Sequence, residues 1–142
     1  MAQELAHDRA TDSALHRAMP SGVRHLLAAF SVKTRCPMFK DYRDHAGARA
    51  DKHFKSTLFQ GDHLLAGLNC LEPGQAQPAH THAAADKFYY VIEGRGVFSV
   101  GDETHAVGPG MIVWAPAGVP HGVENRSATR LTLLVGIAPP PN

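Results

Sequence analysis

Two cysteines, Cys36 and Cys70, are all the chain contains, which excludes a disulfide framework as the source of its stability. Folding in a reducing compartment is the expectation, with at most a single bridge. No run approaches the roughly eighteen apolar residues of a membrane-spanning helix. The opening stretch MAQELAHDRATDSALHR alternates charge with alanine and lacks the apolar core of a signal peptide, so the cytoplasm is the expected location. An excess of one charge is missing too. Lys and Arg number 14 against 13 Asp and Glu, for a net charge of +1. Neither nucleic acid nor a membrane surface is therefore expected as a partner. The first fifty residues show no helix-turn-helix pattern and no basic face, and no internal repeat is visible.

What is present is ordinary in bulk. A chain of 142 residues, 44% hydrophobic and 19% charged, suits one globular domain with a real core. Histidine is the exception: ten in this length is many, and three fall in two stretches rich in glycine and proline.

Along the chain, residues 1–19 are helix-permissive, with Leu5, Leu15 and Met19 as the only large apolar anchors, too thin a stripe for an independent helix. Residues 23–32 read as a short helix or a buried strand. From 33 to 55 mixed charges, with Pro37 and Gly47, read as a solvated loop with one turn of helix. An active-site lid, or a strand exchanged with a second subunit, is the functional alternative there. Strand signals follow at 54–60, 64–71, 88–92, 97–100, 105–107, 111–115, 122–125 and 130–137, punctuated by pairs such as Gly61-Asp62 and Gly101-Asp102. The run leading to His80 reads as a turn. Many short strands so spaced predict an all-β sandwich or barrel, divided as an extension over 1–53, a barrel over 54–138 and a proline tail over 139–142. Edge strands of such a barrel invite a homodimer.

The chemistry concentrates in GQAQPAHTHAAADKFYYVIEG, residues 74–94, and GMIVWAPAGVPHGVEN, residues 110–125. His80 and His82 are two apart, so on a strand both rings project from one face and can converge on a metal. His121 follows a Pro-x-Gly turn. If that face is the inner one, Lys87, Tyr89 and Val91 share it, while Asp86, Phe88 and Tyr90 face away. Asp86 reaches a metal only through a bulge. For Lys87 two placements are open, inward toward an anion or outward with its ammonium in solvent. Tyr89 can offer its phenol to a substrate or pack the barrel with its hydroxyl at the rim. Trp114 and Met111 can line the pocket or the back of the sheet. Asn125 secures a turn. Of the seven histidines outside these stretches, His63 lies nearest a strand mouth.

With their glycines, prolines and offsets, the two stretches resemble the paired motifs of the cupin superfamily, over about residues 54–137. The resemblance implies a double-stranded β-helix, or jelly roll, with His80, His82 and His121 as ligands of one divalent transition metal. Fe(II) is foremost, with Mn, Ni, Cu, Co or Zn as alternatives. The family usually adds a glutamate, and Lys87 stands in its place. Three neutral imidazoles leave the ion's charge uncompensated, and an inward Lys87 adds to it, so the site should favour a small anionic ligand. The activity implied by the resemblance is that of a dioxygenase or other oxidoreductase acting on a small organic anion; Lys87, which departs from the family pattern, and Tyr89, by strand parity, are the candidate catalytic groups. A redox-silent isomerase, cyclase or lyase, or a non-catalytic binding barrel, is the alternative.

Overall fold

Alternation of inward and outward side chains governs the strands. The computed structural model describes residues 37–141; the expectations for residues 1–19 and 23–32 lie outside them. A single 3₁₀ turn, Tyr42–His45, precedes nine strands: β1 Phe54–Gln60, β2 Leu65–Leu71, β3 Ala76–His80, β4 Asp86–Glu93, β5 Gly96–Val100, β6 Glu103–Val107, β7 Ile112–Ala115, β8 His121–Glu124 and β9 Leu131–Ala138. Along β4, Lys87, Tyr89 and Val91 are buried, whereas Asp86 and Tyr90 are exposed. That period of two is what a strand with one covered face requires.

All pairings are antiparallel and build two sheets, one ordered β1-β2-β9-β4-β7 and the other β3-β8-β5-β6. The all-β jelly roll implied by the resemblance is the fold observed. Leu71, Tyr89, Val91, Leu131, Leu133 and Val135 from the first sheet meet Phe98, Val107 and Val123 from the second in one apolar cluster. Each such side chain contributes about 1.5–3 kcal/mol on leaving water. The hairpin between β5 and β6 pairs Val100 with Glu103, so Gly101-Asp102 forms the two-residue loop that the dipeptide predicted. Gly101 takes φ 56° there, a conformation most side chains resist.

One strand was not foreseen. Residues 76–80, read as part of a turn, form β3, which lies along β8. Upstream, the charged stretch is mostly irregular and exposed, with the single turn expected of it. Asp41 caps that turn by accepting from the Arg43 N–H. Lys40 Nζ donates to the Leu58 carbonyl at 2.7 Å, and Ser56 Oγ donates to the His45 carbonyl at 2.8 Å. These bonds stitch the segment to β1. Cys70 is a free, buried thiol on β2.

Candidate metal centre

The pairing of β3 with β8 sets His80 directly opposite His121. His80 ends β3, and His82 lies two residues past it in the loop. The two therefore converge without sharing a strand. The His82 carbonyl accepts the Gly118 N–H at 2.9 Å, which ties the first histidine pair to the turn ahead of the third histidine. A bulge between Gln77 and His80 shifts the β3 register and turns both side chains inward across an odd spacing. Gly122 permits it, because a Cβ there would meet the Ala79 nitrogen and the Gln77 carbonyl oxygen, each at 3.0 Å.

Ring centroids of the three histidines lie 4.5–5.5 Å apart, and one ligating nitrogen from each falls within 4.8 Å of the others. Metal–imidazole bonds of about 2.0–2.1 Å bring such nitrogens together after a small ring rotation. Proton placement suits ligation as well. Nδ1–H of His80 donates to the Pro78 carbonyl at 2.9 Å, and Nδ1–H of His121 to the Val119 carbonyl at 3.0 Å. Each leaves Nε2 unprotonated, the arrangement that orients metal-ligating imidazoles; His121 Nε2 has no partner, while His80 Nε2 accepts from the Gln77 amide. Nε2 of His82 and of His121 is buried without a hydrogen-bond partner. A buried polar atom left unpaired costs about 1–3 kcal/mol, and two of them in one cluster fit a cation. Burial, with the field of Lys87, lowers the pKa of all three rings, so they are neutral at pH 7, as ligation demands. Among the described residues no carboxylate joins the cluster.

Lys87 takes the inward placement. It is only 3% exposed, and its Nζ lies 4.6 Å from the centre of the Tyr89 ring. No ion pair reaches it among the described residues. Burial first, and then the charge of Lys55, lower its pKa to about 8. Tyr89 is fully buried, and burial pushes its phenol well above the ordinary range. Its hydroxyl donates to Gln77 Oε1 at 3.4 Å.

Gln77 is the residue that sequence reasoning missed. It is buried, accepts from Asn69 Nδ2 at 3.2 Å, and its amide N–H donates to His80 Nε2 at 3.3 Å. A metal on that nitrogen would release this donor toward whatever the metal holds. Strand parity turns a residue three before His80 the wrong way, and only the bulge corrects it. Among the described residues, the other histidine with an unpaired buried nitrogen is His53. His63, the one singled out from sequence, is exposed and outside the cluster. Asp86 is exposed and accepts the Ala117 N–H at 2.9 Å, away from the metal cluster. Trp114 and Met111 lie on the outside, both exposed. Asn125 ties its turn, donating to the Leu71 and Thr129 carbonyls, both at 2.8 Å.

A two-sheet jelly roll with three converging imidazoles that could hold a metal ion defines a small barrel class. The family model described as a cupin domain matches residues 67–137, and the chain belongs to the cupin family. A solved structure from Thermus thermophilus is 46% identical, with a TM-score of 0.70 over 72% of this chain and 98% of that one. An uncharacterized protein of Streptomyces coelicolor is 38% identical over 77 residues, 54% of this chain and 71% of its own length. A predicted oxalate decarboxylase from Thermotoga maritima is 27% identical, with a TM-score of 0.52 over 54% of this chain and 67% of that one. No helix among the described residues is long and apolar enough to cross a membrane.

Proposed function

We propose that this cupin is a metal-dependent enzyme, a dioxygenase-type oxidoreductase acting on a small organic anion at His80, His82 and His121, with Fe(II) as the resident ion. The observation that carries the reading is a buried lysine whose charge reaches three neutral imidazoles, with no carboxylate among the described residues to balance it. A bound divalent ion would supply Lewis acidity and, when redox-active, one-electron chemistry with O₂. The protein supplies the rest. The two backbone carbonyls hold the His80 and His121 rings in place, and burial thins the water around the site. Lys87 binds a carboxylate or enolate through its ammonium and, with a pKa of about 8, can also hand over a proton near neutrality. Tyr89 acts through Gln77, whose amide it helps to hold.

A second, redox-silent reading is favoured by the similarity to the predicted oxalate decarboxylase: a lyase in which the ion polarises a carboxylate-bearing substrate. Elemental analysis of chain purified without chelator, followed by oxygen uptake with a panel of carboxylates and β-dicarbonyls, separates the two. One ion per chain with substrate-dependent oxygen uptake supports the dioxygenase. Turnover without oxygen uptake selects the lyase, and a chain that takes up no metal defeats both. Lys87→Glu should weaken anion binding and leave the metal bound as tightly or more so; unchanged kinetics would refute the role given to Lys87.

We place the chain, by the same proposal, in the cytoplasm as a homodimer. β7 is an edge strand on which Ile112 is 68% and Trp114 55% exposed, a surface that a second copy would cover. Light scattering on the eluted peak gives the mass that decides it.

A further inference from the structure

The histidine cluster has a second cation nearby that neither motif marks. Lys55 on β1 lies directly opposite Asn69 of β2, so the two side chains share one face of the sheet. Asn69 donates to Gln77, which in turn touches His80. This chain of contacts runs from the rim of the sheet to the metal cluster. Lys55 and Lys87 line a single cavity of about 210 Å³, together with Thr57, Asn69 and Ile137. Gly67 belongs to its wall and has no side chain to fill it. No acidic residue lines the cavity, and neither lysine is ion-paired among the described residues. Lys55 is exposed at the open side, and Lys87 is buried. The field of Lys55 nonetheless reaches Lys87, His80 and His82. Two ammonium groups facing one cavity repel each other until an anion comes between them.

Building on the metal site proposed above, we infer that the barrel takes a small organic dianion, with one anionic group at the three histidines beside Lys87 and a second, a carboxylate, held by Lys55. Volume narrows the class. The space shared by the two lysines, which none of the three histidines lines, is about 210 Å³, room for roughly seven water-sized groups. A short dicarboxylate or a carboxylate-bearing enolate fits that space. Asn69 is the neutral hydrogen-bonding group between the two poles, and Lys55 is the specificity-determining residue that tells a diacid from a monoacid.

The test uses the full chain loaded with nickel, a redox-quiet stand-in, and reads binding by calorimetry. Monoacids and diacids of equal carbon number are compared: propionate with malonate, butyrate with succinate, valerate with glutarate. In at least one pair the diacid should bind about tenfold tighter or more. Lys55→Met should abolish most of that preference, change monoacid affinity by less than about twofold, and leave nickel content at one ion per chain. Lys55→Arg keeps the charge and should keep the preference. Equal affinities in every pair, a preference that survives Lys55→Met, or one lost equally in Lys55→Arg, would overturn the dianion assignment while the metal site stands. A chain that takes up no nickel, or a nickel-loaded chain that binds none of the acids, overturns it together with the reading on which it rests.

Discussion

One face of β4 runs from the histidine cluster to the apolar core in three residues. Lys87 reaches the histidines with its charge, Tyr89 lies between Lys87 and His121, and Val91 belongs to the cluster with Leu71, Leu131 and Leu133. β8 makes the same passage from His121 to Val123. The barrel interior therefore has two ends with opposite chemistry on one scaffold. The apolar end gains stability from burial. The polar end gives some of it up, holding a lysine without a counter-ion and two histidine nitrogens without partners among the described residues. Local violations of this kind persist where surrounding structure over-determines them, and in functional proteins they cluster at sites.

If the two ends divide labour in this way, the largest effect on folding should come from the apolar one. Leu133→Ala, at a fully buried position, should destabilise the fold by about 2–5 kcal/mol, measured by denaturant unfolding, with metal content per folded chain unchanged. Loss of metal in that variant would mean that the ends are not separable. His121→Ala is the converse. Metal affinity should fall by about a hundredfold or more, measured by competition with a chromophoric chelator, while the metal-free protein melts close to the native one. A collapse of the metal-free fold would assign His121 to the core instead.

Titration sharpens the comparison further. The folded pKa of Lys87, about 8 against an ordinary 10.5, means that the unfolded chain binds more protons between those values. Stability should therefore rise as pH goes from about 8 to about 10.5, relieving the penalty of a buried ammonium that is fully present below pH 8. Anion affinity should move the other way, falling as pH passes about 8 and Lys87 loses its charge. A flat anion affinity from pH 7 to 9 would separate Lys87 from the ligand. The smallest effect belongs to the residue between the ends. Tyr89→Phe removes only a long hydroxyl contact to Gln77 and should cost less than about 1 kcal/mol in stability. A larger loss would place the Gln77 amide under tighter control than the distances indicate.

Much of this was legible beforehand. Period-two alternation put Lys87, Tyr89 and Val91 on one face of a strand without deciding that it was the inner one, and turn pairs such as Gly101-Asp102 located the hairpins. β3 was missed because Gly74, Pro73 and Pro78 dominate its surroundings, and its pairing partner β8 lies more than forty residues away. Gln77 was missed for a related reason, since a bulge inverts the parity on which the prediction rests. His63 was favoured over His53 only for its place after a turn. Lys55 carried no local signal at all. Its meaning comes from facing Asn69 across a strand pair and sharing a cavity with a residue 32 positions later.

By itself the amino-acid order determined the class of barrel, the three histidines and the absence of an acidic residue at position 87, because these depend on short-range period and on residue identity. The tertiary structure alone decided that Lys87 points inward, that Gln77 reaches His80, and that Lys55 joins the same cavity. Side-chain direction at a bulge or at an open sheet edge follows from which strands pair and in what register, and that is settled by contacts distant in the chain.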